Sequence, residues 1–326
     1  MAQVCLVILM LSLAIPHFFL TGVDSATFTI ANKCDYTVWP GLLSGAGTPP
    51  LSTTGFSLQN GESKTISTPT NWSGRIWGRT YCTQDSSGKF SCLTGDCGSG
   101  KVECSGSGAA PPATLAEFTL DGSGGLDYYD VSLVDGYNLA MMVVAQGGSA
   151  GNCSSTGCVV DLNESCPTEL RVTGTDGQSV ACKSACEAFA SPQYCCSGEY
   201  GGPDTCKPTS YSQLFKSACP RAYSYAYDDK TSTFTCASAD YRPVVSSTKS
   251  LDDTQKSSQG GDQNQGSNPQ AADLPQVTNS TMTYEGADNG GDEYNSAAPN
   301  NHTFRSQLIA GGIALLTTFW RLVLHF

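Results

Sequence analysis

The sequence predicts a mainly β fold with a sandwich-like core, joined to a cysteine-rich lobe of loops and short helices. Between residues 26 and 146, short runs alternate between apolar and polar side chains, and Gly, Pro, Asn and Asp interrupt them. That rhythm is typical of a β-sandwich or barrel. Between about 147 and 206 the periodicity fades and cysteines concentrate. We therefore expect disulfide bridges to hold this second stretch.

The individual elements follow from local patterns. Alternating runs predict strands at 27–30, 36–39, 74–77 and 116–120. The dipeptides Asp121-Gly122 and Asp135-Gly136 predict tight turns. Farther along, the patterns predict a short helix at 183–190, an amphipathic segment at 211–219 and a strand at 231–236.

The first 25 residues have the pattern of a secretory signal peptide. An apolar run at 4–13 precedes a small-residue site, Val23-Asp24-Ser25, so cleavage is expected before Ala26. A membrane anchor is the alternative, but a spanning helix needs about 20 apolar residues. We therefore expect residues 26–245 to form an exported domain.

The C-terminal part of the sequence predicts a stalk with a membrane anchor. Residues 246–306 are rich in Ser, Gln, Asn, Gly and Asp, so we expect a disordered stalk. An apolar tail at 307–326 and small residues at 296–298 predict GPI attachment at Ser296. A transmembrane helix is the alternative, but the tail's uninterrupted apolar part is short and no basic segment follows it. The expected location is the extracellular face of the plasma membrane, in the cell wall or apoplast.

The net charge and the histidine content limit which partners and which catalytic groups the domain can have. The formal net charge of −12 argues against a nucleic-acid partner and against electrostatic capture by anionic lipid. The three histidines, His17, His302 and His325, lie in segments expected to be removed. The mature domain then has no Ser-His-Asp triad, no Cys-His pair and no histidine-ligated metal. Carboxylates are left as the acid–base groups near neutral pH.

Sixteen cysteines indicate a disulfide framework, because the chain is expected to be exported. Cys5 would leave with the signal peptide, and the odd number that remains leaves one thiol over. A zinc site is the alternative, since Cys182 and Cys186 are four residues apart and Cys195 adjoins Cys196. Zinc sites repeat a Cys-x₂₋₄-Cys spacing and usually include histidine, so we expect no metal and no cofactor.

One stretch resembles a known family. Residues 88–97, Gly-Lys-Phe-Ser-Cys-Leu-Thr-Gly-Asp-Cys, followed by Gly100 and Cys104, resemble the signature of the thaumatin family. Further similar stretches lie at 74–79, 111–118, 194–196 and 223–229, so the resemblance covers 26–241. It implies a β-sandwich of about eleven strands, a disulfide-rich lobe and an acidic cleft between them.

The resemblance also implies seven disulfides: Cys82–Cys92, Cys97–Cys104, Cys153–Cys236, Cys158–Cys219, Cys166–Cys182, Cys186–Cys195 and Cys196–Cys206. The family usually ends with a further Cys bridged to the first one, and this chain has none after Tyr241-Arg242. Cys34 is therefore expected to be unpaired. Loss of a bridge that closes so long a loop is expected to loosen the first strand. One free thiol should appear on denaturation without reductant.

The resemblance places five residues around the cleft: Arg79, Glu117, Asp130, Asp135 and Asp228. Tyr128, Tyr129 and Tyr137 lie near these acids in the sequence and are expected to offer faces for sugar stacking. Carboxylates accept hydrogen bonds from sugar hydroxyls, so a neutral glucan suits the site better than an anionic ligand. Asp135 and Asp228 also fit plain turn positions.

Three functions are open at this point. The first is a plant defence protein that binds β-1,3-glucan or a related wall polysaccharide without turnover, with an antifungal role implied by the resemblance. The second is a weak endo-β-1,3-glucanase with Glu117 as general acid and Asp130 as its partner, whose separation decides retention or inversion. The third is a structural or signalling protein of the wall–membrane interface. Binding is favoured, because the resemblance implies an acidic cleft without implying a tuned acid–base pair.

The sequence also predicts glycosylation sites and a monomeric state. N-linked glycans are expected at Asn71, Asn163 and Asn279, each in an Asn-x-Ser/Thr triplet. A monomer is expected, attached to the membrane only through its lipid anchor.

Overall fold

A computed structural model of the 326-residue chain describes residues 24–247. The predicted signal peptide up to residue 23, the stalk beyond 247, the hydrophobic tail, Asn279 and Ser296 lie outside the described residues. The mainly β fold with a disulfide-rich lobe is confirmed.

Twelve strands run through the described residues: β1 (Asp24–Lys33), β2 (Trp39–Ser44), β3 (Ser63–Pro69), β4 (Ser73–Gln84), β5 (Phe90–Thr94), β6 (Leu115–Thr119), β7 (Asp127–Ser132), β8 (Ala140–Gly151), β9 (Thr156–Cys158), β10 (Arg171–Thr173), β11 (Ser179–Cys182) and β12 (Phe234–Ser246). The same stretch holds four short α-helices: α1 (Ala185–Phe189), α2 (Pro192–Cys195), α3 (Ser210–Ala218) and α4 (Asp229–Ser232). No helix within residues 24–247 has the length and apolarity needed to cross a membrane.

Ten of these strands form one curled sheet, in the order β2-β4-β6-β7-β12-β1-β3, with β5 on β4 and β8-β9 joined through β12. Strand β12 pairs with different strands along its length. Its first residues, Phe234 to Cys236, pair with β7, whereas Tyr241 lies opposite Phe28 in parallel β1. The strands β10 and β11 form a separate hairpin in the cysteine-rich lobe.

Aromatic side chains fill the space enclosed by the curl. The ring of Phe28 on β1 lies 4.6 Å from that of Phe118 on β6, although these strands are not neighbours in the sheet. The buried rings of Trp72 and Tyr241 pack against this pair. The sheet therefore folds into two layers around an aromatic core, as the resemblance implied, and large rings of this kind dominate core energetics.

Three of the predicted strands lie in β1, β4 and β6, but the prediction at 36–39 is wrong. β2 begins at Trp39, and only Val38 of the preceding residues forms a bridge, to Leu58. The side-chain amide of Asn32 donates hydrogen bonds to the carbonyls of Tyr36, at 2.8 Å, and Leu58, at 3.0 Å. These bonds hold the connection as a loop, so alternation alone misassigned it.

The predicted helix at 183–190 is α1, and the amphipathic segment at 211–219 is α3. Ser184 caps α1, and Thr209 caps α3 in a reciprocal pair with Ser212. The predicted strand at 231–236 is only partly correct, because α4 continues to Ser232 and β12 starts at Phe234.

Seven disulfides staple the described chain, and they join the pairs that the resemblance implied: Cys82–Cys92, Cys97–Cys104, Cys153–Cys236, Cys158–Cys219, Cys166–Cys182, Cys186–Cys195 and Cys196–Cys206. Cys34 is the free cysteine of the described residues, and it is fully buried. It directly follows β1, which pairs with β3 on one side and β12 on the other. Burial raises the pKa of the Cys34 thiol to about 11, so the thiol is neutral near pH 7.

Candidate functional site

Three charged side chains lie in a row across three neighbouring strands. Arg75 on β4 is opposite Glu117 on β6, and Glu117 is opposite Asp130 on β7. Their chain neighbours Ile76, Phe118 and Tyr129 are buried in the aromatic core. Because side chains alternate between the two faces of a strand, the charged row points away from that core.

The row lies at the base of two adjoining hollows, and each hollow is bordered by all three charged residues. One hollow, of about 440 Å³, is bounded by residues 43–46 and Tyr128. The other, of about 370 Å³, is bounded by Asp135, Tyr223 and Asp229 among others. Glu117, Asp130 and Asp135, three of the four predicted acids, therefore converge on one groove, which we call the charged groove.

The two central carboxyls have different surroundings. Burial raises the pKa of Asp130 well above its ordinary value, and the charges of Glu117 and Asp229 add to the effect. Burial and Asp135 also raise the pKa of Glu117, but Arg75 opposes that rise. Oδ2 of Asp130 is buried and has no hydrogen-bond partner among the described residues. The proton therefore resides preferentially on Asp130 and the negative charge on Glu117.

Asp135 reaches the groove from a tight turn. Gly136 follows it with φ of +83°, and a Cβ there would lie 2.7 Å from the Cys182 carbonyl oxygen. The carbonyl of Asp135 accepts a hydrogen bond from Ala113 N at 2.9 Å. The turn predicted from Asp135-Gly136 thus also supplies a groove carboxylate, because glycine permits the close approach.

The prediction for Arg79 is wrong. Its side chain is fully buried and donates hydrogen bonds to the carbonyls of Trp39, at 2.9 Å, Pro40, at 3.2 Å, and Val102, at 2.5 Å. Burial lowers the pKa of Arg79 to about 10, so it stays charged at neutral pH. Arg79 holds the loop stapled by Cys97–Cys104 onto β4, and Arg75 is the groove's arginine.

The prediction for Asp228 is also wrong. Its Oδ2 lies 2.9 Å from Nζ of Lys216 and accepts hydrogen bonds from the backbone and hydroxyl of Ser224. The next residue, Asp229, borders the groove instead and accepts a 2.8 Å hydrogen bond from the Tyr223 hydroxyl. Asp228 therefore fixes the segment that presents Asp229.

Among the three predicted stacking tyrosines, Tyr128 borders the groove. Tyr129 and Tyr137 are buried, and their hydroxyls donate to the carbonyls of Ser154, at 2.6 Å, and Val160, at 2.9 Å. The prediction for these two is wrong, because strand alternation turns Tyr129 on β7 into the core, and Tyr137 is held there by an isolated bridge to Cys182. Tyr223 supplies a phenol at the groove that the sequence analysis missed.

A third hollow, of about 330 Å³, adjoins the groove at Asp135 and belongs to the cysteine-rich lobe. Glu187 on α1 lines it together with Tyr194 and Tyr225. Burial raises the pKa of Glu187 to about 7, Lys183 opposes this, and the charge of Asp135 adds to it. Oε2 of Glu187 is buried without a hydrogen-bond partner in the described chain. The sequence analysis missed Glu187 because no pattern connects α1 with the groove.

Two predicted glycan sites differ in access. Asn71 is exposed, whereas the amide of Asn163 donates to the carbonyls of Asn138, at 3.1 Å, and Val180, at 3.3 Å. A glycan on Asn163 would replace one amide hydrogen and break at least one of these bonds, so the structure favours Asn71 over Asn163. Within residues 24–247 no group of three His, Cys, Asp or Glu side chains is arranged to hold a metal ion.

The charged groove can bind and exchange protons with a polyhydroxylated ligand. Glu117 and Asp135 accept hydrogen bonds from hydroxyls, Arg75 donates them, and a protonated Asp130 does either. Adjacent cross-strand residues have Cβ atoms about 4.5–5.5 Å apart, so Glu117 and Asp130 can contact the same bound group.

Comparison with known proteins agrees with the motif and the fold. Residues 32–246 match the Thaumatin family. Thaumatin-like protein 1 of Arabidopsis thaliana is 61% identical over 229 residues, which cover 68% of this chain and 86% of that protein. Pathogenesis-related thaumatin-like protein 3.5 of Cryptomeria japonica is 58% identical over 217 residues, covering 67% and 88% respectively. The glucan endo-1,3-beta-glucosidase of Prunus avium is 53% identical over 236 residues, covering 72% and 95%. The chain belongs to the thaumatin family.

Proposed function

We propose that this chain is a secreted plant defence protein that binds β-1,3-glucan or a related wall polysaccharide in the charged groove. The observation that carries the proposal is the row Arg75–Glu117–Asp130 at the base of an open groove. The row offers a cation, an anion and a neutral carboxyl side by side, which together match the donors and acceptors of a sugar ring. The name of the Cryptomeria relative supports a role in defence.

Binding is tested by isothermal titration of the secreted protein with soluble laminarin, a β-1,3-glucan. Glu117→Gln removes the negative charge of the row, and Asp130→Asn replaces its protonated carboxyl with an amide. Both keep the shape of the groove, so we expect at least a tenfold loss of affinity from each. Asp176→Asn is the matched control, because Asp176 lies in the turn between β10 and β11 and borders neither hollow of the charged groove. Wild-type protein that binds no laminarin would contradict the proposal.

A second candidate, a weak endo-β-1,3-glucanase, is supported by the name of the Prunus avium relative and by the unequal carboxyls. In this scheme Asp130 gives its proton to the leaving sugar oxygen, and ionised Glu117 is the partner carboxylate. This reverses the roles expected from the sequence, because Arg75 favours the ionised form of Glu117. Release of reducing sugar from laminarin by wild type, abolished in Asp130→Asn, would establish turnover. Binding without release would leave the protein a lectin-like binder.

We also propose that the mature protein is held at the cell surface by a GPI anchor at Ser296, as a monomer. Seven disulfides fit an exported protein. Release of the protein from plant membranes by phosphatidylinositol-specific phospholipase C tests the anchor. Protein that stays in the membrane fraction after treatment would favour a transmembrane tail.

A further inference from the structure

Tyr81 has an unusual combination of backbone conformation and exposure. It lies in β4 with φ of +53°, in the left-handed region, and its side chain is 57% exposed. The left-handed conformation is unfavourable for a residue with a Cβ, because the Cβ lies too close to the following carbonyl oxygen. Burial of the ring offsets little of this cost. An exposed aromatic residue held in an unfavourable conformation is a candidate for a role outside folding.

Tyr81 lies beside a second exposed apolar side chain. Thr80 pairs with Thr94 and Cys82 with Cys92, so Tyr81 and Leu93 are cross-strand neighbours, and Leu93 is 48% exposed. Both border a hollow of about 550 Å³ whose far side is the β10–β11 turn with Asp176. Tyr36, 43% exposed, and Asp161 lie within electrostatic reach of Tyr81. We call Tyr36, Tyr81, Leu93, Asp161 and Asp176 the tyrosine patch.

The framework of the patch is fixed before any partner arrives. The disulfide Cys82–Cys92 crosses the hairpin next to Tyr81. Asp176 accepts a 3.0 Å hydrogen bond from Gln178 N, which holds the β10–β11 turn. A rigid surface loses little conformational entropy on binding, so such a patch binds more tightly than a flexible one of equal area.

The charge beside the patch is negative. Asp176 borders the hollow next to Tyr81 and Leu93, and no lysine or arginine within residues 24–247 lines that hollow. Asp161 acts electrostatically on both Tyr36 and Tyr81. Carboxylates beside exposed phenol faces attract cations, both through charge and through the ring quadrupole. None of the five residues borders the charged groove.

We propose that the tyrosine patch is a docking surface for a segment of another protein that carries lysine or arginine next to an aliphatic residue. The cation would lie over the ring of Tyr81, near Asp161 and Asp176, and the aliphatic side chain would contact Leu93. A sugar stacked on the ring of Tyr81 is the alternative occupant, and competition with laminarin distinguishes it from a peptide in the experiment below.

The probe for this proposal is a set of immobilised heptapeptides with Leu-Lys-Leu, Leu-Arg-Leu, Leu-Gln-Leu or Leu-Glu-Leu at the centre, measured by biolayer interferometry with the full secreted protein. The lysine and arginine peptides should bind at least tenfold more tightly than the glutamine peptide, and added salt should narrow the difference. Equal binding of all four peptides, or binding of none, would overturn the proposal.

Variants separate recognition from folding. Tyr81→Asn and Asp176→Asn should each weaken binding of the lysine peptide at least tenfold, while Phe189→Asn, which alters an exposed aromatic residue on α1, should not. Asn tolerates the left-handed conformation, so the melting temperature of Tyr81→Asn should equal or exceed that of wild type. A markedly lower melting temperature would mean that Tyr81 is structural. Displacement of the peptide by laminarin would show a sugar surface. Either result would overturn the proposal.

Discussion

Two arginines on β4, four residues apart, illustrate how similar side chains come to have different roles. Arg75 and Arg79 point to the same face of the strand, because side chains on one face recur at every second residue. Arg75 lies at an open groove beside Glu117, whereas Arg79 is fully buried with three carbonyl acceptors. The difference comes from the covering loop stapled by Cys97–Cys104.

The comparison shows that the position of a charge within a strand does not decide its function. Over Arg79 the loop excludes water and adds the carbonyl of Val102 to those of Trp39 and Pro40 on β2, so the guanidinium stabilises the packing of the loop against β2 and β4. Arg75 lies at the open groove instead, where its charge opposes the rise in the pKa of Glu117 that burial causes. Substitution of either arginine, or of the cysteines that staple the loop over Arg79, tests this difference between the two sites.

The largest effect is expected from Arg79→Ala. Removing the buried guanidinium takes one donor from each of three carbonyls, although Pro40 keeps a hydrogen bond from Phe56 N, and it opens a cavity, so stability should fall by about 3–5 kcal/mol. Urea unfolding followed by tryptophan fluorescence measures the loss. Glucan affinity of the variant that remains folded should be unchanged, since Arg79 does not reach the groove. A loss below about 1 kcal/mol would contradict the structural role.

Removal of the bridge over Arg79 should have the next largest effect. The double variant Cys97→Ala, Cys104→Ala releases a short loop, and the chain-entropy relation gives a loss of about 2–3 kcal/mol. In this background Arg79→Ala should cost less than it does alone, because the cover is already loosened. Cys186→Ala, Cys195→Ala removes a bridge of similar span elsewhere and serves as control. Strict additivity of Arg79→Ala with both bridge variants would argue against the coupling.

Asp130→Asn should raise stability at neutral pH, on the order of 1 kcal/mol, because burial opposes an ionisation of Asp130 that is free in the unfolded chain, whereas an amide ionises in neither state. The pKa of Asp130 is raised in the folded protein, so its contribution is fully favourable below the unfolded pKa. That contribution is lost as the pH rises through the folded pKa. Melting curves from pH 3 to 8 should therefore show a gain that grows with pH. A gain of equal size at pH 3 would mean that ionisation is not the cause.

The smallest effect on stability is expected from Arg75→Gln, within about 0.5 kcal/mol, since no described carbonyl depends on this side chain. Glucan affinity should nevertheless fall about tenfold, through the lost donor and the altered charge of Glu117. The pKa of Glu117 should rise, because Arg75 is the group that lowers it. Carbon-13 titration of the Glu117 carboxyl measures this shift, and an unchanged or lower pKa would contradict the assigned role of Arg75.

The sequence predicted the framework better than the groove. Strand alternation located β1, β4 and β6, and the family resemblance gave the same seven cysteine pairs that the structure forms. It could not separate Arg75 from Arg79, because both lie on one face and only the tertiary cover distinguishes them. The sequence could not decide which of Asp228 and Asp229 lies at the groove either, because that depends on the ion pair between Asp228 and Lys216 on α3.

Ligand-induced shifts of the side-chain carboxyl resonances, recorded by carbon-13 NMR during titration with laminaripentaose, test the groove most directly. If the row Arg75–Glu117–Asp130 binds the glucan, the carboxyls of Glu117, Asp130, Asp135 and Asp229 should shift together, while Asp228 and Asp176 stay unchanged. Shifts confined to Asp228 or Asp176, or no shifts at saturating ligand, would contradict the assignment of the charged groove as the glucan site.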